Sequence, residues 1–128
     1  MKALSKKELQ ATLAAVVKRL VENLDVEKIV LFGSYVKGAP TKDSDLDLLV
    51  MLNTKKKGIE RYAMVSEVLE PRTIPMDIIV RTPAEIKKRE HYFDPFIKSI
   101  MTEGKVLYEK TPTVFSRWRH FCYLPACP

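Results

Sequence analysis

The chain has 128 residues, of which 46% are hydrophobic and 30% are charged, and its formal net charge is +6. These values are typical of one globular domain that is large enough for a hydrophobic core, and the length is small for a two-domain enzyme. No apolar run approaches the roughly 20 residues of a membrane span, and the first residues lead into charged side chains instead of a signal-peptide core. We therefore expect a soluble, cytoplasmic protein.

The N-terminal half of the chain predicts a helix followed by two strands. Ser5 and Glu8 have the spacing of a capping box, which opens a helix. Apolar residues then recur at helical spacing and form one stripe: Leu9, Leu13, Val16, Val17, Leu20 and Leu24. Short apolar, β-branched runs predict strands over residues 28–32 and 46–52.

The C-terminal half continues with alternating helices and strands. We predict a helix over residues 59–70, with Tyr62 on its apolar side, and a strand over residues 76–81. Two helices should follow, one opened by a capping box of Thr82 and Glu85 and one begun at Asp94. Gly104 fits the end of the latter helix, and a last strand should cover residues 105–109. The expected fold class is α/β (α+β), a mixed β-sheet with helices packed mainly on one face.

The most informative motif lies between the first two strands and reads Gly33-Ser34, then Asp45-Leu46-Asp47. Alternate residues of a strand point to the same face, so Asp45 and Asp47 should project together. Two such carboxylates repel each other unless a cation lies between them. The Gly-Ser turn offers N–H groups and a hydroxyl to an anion. Metal plus phosphate is the simplest joint interpretation.

A third carboxylate supports this interpretation. Asp77 lies near the start of the strand over residues 76–81. If this strand pairs with the one that carries Asp47, three carboxylates converge on one site. Mg²⁺ prefers oxygen ligands and is commonly held by a few carboxylates together with substrate phosphates. Two such ions can clamp the attacking and leaving oxygens of a phosphoryl displacement.

The residue spacing excludes two other motifs, a phosphate loop and a calcium loop. Gly33 to Gly38 has the spacing of a phosphate loop, but Ala39 and Pro40 stand where its Lys and Ser or Thr are required. The aspartates of residues 43–47 have the spacing of a calcium loop, which then needs a glycine and a distant glutamate that are absent. An isolated polar turn before a strand would explain one Asp-x-Asp pair, but not its combination with the Gly-Ser turn and Asp77.

Gly-Ser, a following glycine at Gly38, Ser44-Asp45-x-Asp47 and a later strand aspartate together resemble the DNA polymerase β-like nucleotidyltransferase superfamily. Over about residues 5–109 the chain is most similar to the minimal nucleotidyltransferase (MNT) type, which is often paired with HEPN toxins. Many members carry arginine after the Gly-Ser pair, whereas Tyr35 stands here and Lys37 is the nearest cation.

The resemblance implies roles for individual residues. Asp45, Asp47 and Asp77 would be the catalytic and metal-binding carboxylates. Phosphate contacts would come from the following residues: Gly33, Ser34, Lys37, Gly38 and Ser44. The resemblance further implies ATP as substrate, Mg²⁺ as cofactor, transfer of AMP to a tyrosine of a HEPN toxin, and hence an antitoxin role.

Residues 110–128 form a basic, aromatic tail beyond the expected domain of residues 1–109. The tail contains no Asp or Glu, and its aromatic residues alternate with Arg117, Arg119 and His120. It could fold back on the domain or be disordered, contact a partner protein, or bind nucleic acid. Both cysteines, Cys122 and Cys127, lie here without the pattern of a zinc site, which favours free thiols.

Two other functions stay open at this stage. The protein could neutralise a partner by contact alone, as a non-catalytic nucleotide-binding module. It could also transfer a nucleotide to a small molecule. Direct nucleic-acid binding is disfavoured, because the tail holds only +3 of the formal net charge of +6 and the remaining +3 is spread over the domain. A second copy of the chain could also supply the acceptor surface, since a domain of this length leaves little room for one.

Overall fold

The helices and strands follow the predicted order. The computed structural model describes residues 5–38, 44–70, 74–91 and 94–110, with the backbone alone at residues 90 and 91. Its elements are α1 (Lys6–Asn23), β1 (Val26–Phe32), α2 (Ser34–Lys37), β2 (Leu46–Leu52), α3 (Ile59–Leu69), β3 (Met76–Arg81), α4 (Pro83–His91), α5 (Pro95–Glu103) and β4 (Lys105–Glu109). The Gly-Ser turn contains the four-residue helix α2, which the sequence did not predict. Apart from Lys110, the predicted tail and both cysteines lie outside the described residues.

The four strands form one mixed sheet in the order β3-β2-β1-β4. β1 pairs antiparallel with both β2 and β4, whereas β2 and β3 are parallel. The parallel pair requires a crossover, and α3 supplies it. The predicted mixed sheet is therefore confirmed.

Each face of the sheet is covered by its own helices. Leu48 and Val50 of β2 belong to the core that contains apolar residues of α1 and α3. Leu49 and Met51, one residue out of phase, pack in a second cluster with Ile86 of α4 and the apolar residues of α5. We predicted that the helices pack mainly on one face of the sheet, and the two longest helices, α1 and α3, do share one face. The prediction missed that α4 and α5 cover the opposite face.

The predicted caps account for the helix boundaries. Ser5 and Glu8 form a reciprocal capping box at α1. Thr82 and Glu85 do the same at α4, where the Thr82 N–H donates to Glu85 Oε1 at 2.9 Å. Asp94 accepts from two N–H groups of the first turn of α5. Side chains thus satisfy helix amides that lack intrahelical partners. None of the helices within the described ranges is long and apolar enough to cross a bilayer.

One side chain of α3 departs from the predicted pattern. Tyr62, expected on the apolar side, is 42% exposed, whereas Arg61 is buried. The Arg61 Nε donates to the Lys56 carbonyl at 2.7 Å, and its two terminal nitrogens donate to the two carboxylate oxygens of Glu85. A bidentate pair of this kind allows a guanidinium to be buried. The apolar periodicity of the sequence therefore placed Tyr62 on the buried side and missed Arg61.

Candidate active site

The three predicted carboxylates lie at the start of the parallel strand pair. Asp47 of β2 is the register partner of Asp77 of β3 and, on its other side, of Phe32 of β1. Because side chains alternate along a strand, these residues share the face that carries Leu49 and Met51. Asp45 lies two residues before Asp47 and is exposed. The predicted pairing of the two strands is confirmed. Asp45, Asp47 and Asp77, here called the acidic row, lie together at the start of this strand pair.

The environment of Asp47 is electrostatically unfavourable for a free carboxylate. Partial burial raises the pKa of Asp47, and the negative charges of Asp77 and Asp45 raise it further. Both effects penalise the ionised form. A divalent cation would remove this penalty, and a set of carboxylate oxygens suits a hard ion such as Mg²⁺. The donor chemistry of the acidic row therefore fits the metal that the resemblance implies.

The carboxylates of the acidic row would supply only part of the ligands of a bound Mg²⁺ ion. Across residues 5–38, 44–70, 74–91 and 94–110, no three His, Cys, Asp or Glu side chains form a ready-made metal cluster. Mg²⁺ is usually bound by one or two carboxylates together with waters and substrate phosphates, not by a cage built from protein alone. Phosphate oxygens would therefore have to supply the remaining ligands.

Gly33 brings the Gly-Ser turn against the acidic row. Its backbone has φ 82° and ψ −154°, a region that is almost restricted to glycine. A Cβ at this position would overlap Oδ2 of Asp47 and lie 3.0 Å from its Cγ. The turn and the carboxylate are thus in direct contact, and only glycine permits both the conformation and the approach.

The other predicted phosphate-binding residues lie around the same turn. Ser34 begins α2, and Gly33 before it provides no side-chain cap for the first amides of that helix. Lys37 is the last residue of α2 and is exposed. Gly38 ends α2 in the left-handed conformation, with φ 78°. Ser44 is half-buried just before β2. Residues 39–43, which join the turn to β2, lie outside the described ranges.

The structure adds a cavity that the sequence did not predict. It has a volume of about 340 Å³ and lies between the Gly-Ser turn and α5, which contributes Phe96, Ser99 and Glu103 to its lining. The Phe96 and Phe32 rings meet edge to face, with centroids 5.9 Å apart. The spacing of the three α5 residues places them on one side of a helix. Nothing in the sequence relates that side to a turn so far away in the chain.

Comparisons with known sequences and solved structures show which proteins the chain resembles. The sequence model of the family described as "Nucleotidyltransferase domain" matches residues 13–108. A Methanocaldococcus jannaschii protein, named as a proposed protein adenylyltransferase, is 32% identical over 91 residues. That match covers 67% of this chain and 60% of the relative, so the chain accounts for less than two thirds of that protein's length.

Solved structures show the same fold at low sequence identity. A chain of a toxin-antitoxin crystal structure with AMP-PNP is 18% identical, has a TM-score of 0.56, and is matched over 87% of this chain and 82% of that one. A chain from the complex of tri-AMPylated Shewanella oneidensis HEPN toxin with MNT antitoxin is also 18% identical, with a TM-score of 0.52. That match covers 89% of this chain and 82% of the other. At these identities the likeness concerns the fold alone.

Proposed function

The chain belongs to the nucleotidyltransferase family, and from this premise we propose that it transfers AMP from ATP to a hydroxyl group of a partner protein. The observation that carries the proposal is the position of Asp47. Its carboxylate lies against Gly33 of the Gly-Ser turn and in register with Asp77. A phosphate-binding turn in contact with an acidic row is what transfer of a phosphate-linked group requires.

The turn would hold the triphosphate. The Ser34 hydroxyl and the N–H groups at the start of α2 would donate hydrogen bonds to the terminal phosphates, and Lys37 would neutralise part of their charge. Gly38 would contribute by ending α2 so that the chain can leave the turn. Ser44, next to Asp45, would orient the loop that leads into β2. These contacts would fix the α-phosphate beside Asp45 and Asp47.

The carboxylates would hold the metal and prepare the acceptor. Asp45, Asp47 and Asp77 would bind divalent cations, which when bound neutralise the triphosphate and stabilise charge on the leaving oxygens. Asp77, on the outer strand β3, would also accept the proton of the attacking hydroxyl. The hydroxyl oxygen would form a bond to the α-phosphorus. The bond between the α-phosphorus and the oxygen that bridges it to the β-phosphate would break, and pyrophosphate would leave.

We assign the acceptor to a tyrosine of a HEPN toxin, which makes the protein an antitoxin. The names of the relatives support this assignment, since one is a proposed protein adenylyltransferase and one solved complex contains an AMPylated HEPN toxin with its MNT antitoxin. The tail of residues 110–128 would then contact the partner.

The test is label transfer from α-labelled ATP with Mg²⁺ to proteins in a lysate of the source cells. The intact protein should label one band, and mass spectrometry should locate AMP on a tyrosine. The double variant Asp45→Asn, Asp47→Asn should label none. The matched control is Glu22→Gln, which changes an exposed carboxylate of α1 and should label normally.

The variants also separate catalysis from contact. A non-catalytic binding module would still neutralise the toxin when both aspartates are replaced. An equal band from the double variant would disprove the role of the acidic row. Label on a small molecule instead of a protein would keep the chemistry and reject the acceptor.

A further inference from the structure

The strand order determines the side from which an acceptor has to approach. The Gly-Ser turn follows β1, Asp47 lies at the start of β2, and Asp77 lies beside it on β3. With the terminal phosphates on the turn and the α-phosphate beside Asp47, the leaving pyrophosphate lies on the β1 side of the α-phosphorus. An in-line displacement places the attacking and leaving oxygens on opposite sides of the phosphorus. The attacking hydroxyl therefore has to arrive from the β3 side.

On that side, β3 is the outermost strand of the sheet. Within the described ranges it pairs with β2 and has no strand along its other edge. The Leu46 N–H donates to the Pro75 carbonyl at 3.1 Å, so the backbone groups of Pro75 and of alternate residues after it face β2. The N–H and C=O groups of Met76 and Ile78 therefore face outward, one residue before and one residue after Asp77. An edge of this kind can pair with an added strand.

The side chains along this edge differ in chemistry. Strand alternation places Asp77, Ile79 and Arg81 on one face of the sheet. Asp77 is exposed, and Ile79 is half-buried against the apolar cluster of α4 and α5. The Arg81 Nη1 donates to the Val80 carbonyl at 2.9 Å, which uses one of the five N–H donors of the guanidinium. The edge thus presents a carboxylate, an apolar surface and a cation at intervals of two residues.

We propose that the acceptor protein docks by adding an extended segment to the outer edge of β3, with its hydroxyl-bearing residue opposite Asp77. Backbone hydrogen bonds to Met76 and Ile78 hold the segment, and alternate side chains select it. Residues directly opposite each other on paired strands have Cβ atoms roughly 4.5–5.5 Å apart, which brings the hydroxyl within reach of the Asp77 carboxylate. The proposal rests on the proposed function, because it assumes transfer to a hydroxyl group of a protein.

The same pairing predicts the composition of the docking segment. An apolar residue two positions from the hydroxyl-bearing residue packs on Ile79. An acidic residue four positions from it lies opposite Arg81, whose charge it complements. The partner is therefore recognised by an extended segment in which hydroxyl, apolar and acidic side chains alternate with residues that face away.

Binding of a synthetic peptide to the full chain tests the docking edge without the transfer step. The nine-residue peptide has phenylalanine at its centre in place of the acceptor tyrosine, valine two positions away on each side, glutamate at both ends and alanine elsewhere. Its symmetry allows pairing in either direction. Fluorescence anisotropy, with Mg²⁺ and ATP present, compares three forms of it: unmodified, N-methylated at both valines, and N-methylated at the two alanines that flank the centre.

One methylated peptide should bind as well as the unmodified one, and the other at least about ten-fold more weakly. Successive amides of a strand face opposite edges, so only one pair of methyl groups blocks hydrogen bonds to β3. Arg81→Glu should weaken binding of the unmodified peptide at least about three-fold. The matched control is Arg19→Glu, which makes the same change at an exposed residue of α1, on the opposite face of the sheet, and should leave binding nearly unchanged.

The outcomes distinguish this proposal from the proposed function. Equal binding by the two methylated peptides, or no binding of the unmodified one, would overturn strand addition even where a lysate protein is labelled. If Arg81→Glu weakens binding no more than Arg19→Glu does, the assignment of Arg81 is wrong. Binding that depends on which amides are methylated, without label transfer to any lysate protein, would keep the docking edge and reject the transfer reaction.

Discussion

The two ends of the parallel β2–β3 pair hold acidic side chains in opposite electrostatic situations. At the start of the strands, Asp47 lies beside Asp77 and Asp45, and its pKa is raised by burial and by their charges. Beyond their other end, Glu85 pairs with the buried Arg61, and its pKa is lowered to about 2. Within the ranges that the structure describes, Arg61 neutralises the charge of Glu85, whereas no cation pairs with Asp47. An acidic group left without a cation by its own fold is a functional candidate, whereas a paired one is structural.

Removal of the unneutralised charge should have the largest effect. We expect Asp47→Asn to keep the fold and to lower label transfer at least about 100-fold, because the proposed mechanism requires the Asp47 carboxylate to hold the cation beside the α-phosphate. Glu85→Gln at the opposite end should retain most of the transfer activity. The two variants should be compared in one assay, with circular dichroism to verify folding. Equal losses in both would mean that the two ends do not differ in function.

A change in the contact between the turn and the acidic row should have the next largest effect. Gly33→Ala introduces a side chain in a glycine-only conformation and against Asp47. We expect a loss of about 1–3 kcal/mol in the free energy of unfolding, together with loss of transfer. Urea denaturation and label transfer would measure the two effects.

Gly58→Ala is the matched control for this prediction. Gly58 also has a positive φ, of 56°, but a Cβ there meets no atom within 4 Å. The Gly58→Ala substitution should therefore lower the free energy of unfolding through backbone strain and leave label transfer intact. If Gly58→Ala also abolished transfer, general destabilisation, and not the contact with Asp47, would explain the effect at Gly33.

Local patterns predicted the parts of the molecule that depend on neighbouring residues. The bounds of β2 and β3 follow from short apolar runs, and the caps at Ser5 and Thr82 follow from side chains that act within one turn. The acidic row was predictable because strand alternation places Asp45 and Asp47 together. Its connection to Asp77 required only that two strands be adjacent.

Features that depend on distant packing were not predictable. Arg61 is buried because Glu85, 24 residues away in the chain, lies opposite it. The apolar residues of α5 show that this helix has a buried side, but not which face of the sheet it covers. Gly104 fitted a helix end, yet the structure adds that a Cβ there would overlap the Ile100 carbonyl and the Val30 side chain. The cavity depends on that same close approach of α5 to β1.

The smallest expected effect concerns the neutralised end and its dependence on pH. Glu85→Gln should lower the free energy of unfolding by about 1 kcal/mol at pH 7, a modest value because the Glu85 side chain is 40% exposed and solvent screens the pair. Glutamine at this position can still accept a hydrogen bond from the Thr82 N–H, so the capping contact is kept. The difference in the free energy of unfolding therefore measures the effect of the Glu85 charge.

The sign of the pH dependence follows from the lowered pKa of Glu85. Its pKa is about 2 in the folded state, below the ordinary value of 4.5, so the folded protein binds fewer protons than the unfolded chain between these values. The stabilisation by Glu85 is therefore complete above pH 4.5 and is lost as the pH falls towards 2. Urea denaturation of the unchanged protein and of Glu85→Gln should be measured at pH 7, 5, 4 and 3. The difference in the free energy of unfolding should be the same at pH 7 and 5 and should shrink at pH 4 and 3. A difference that stayed constant down to pH 3 would mean that the ionised pair with Arg61 is not its source.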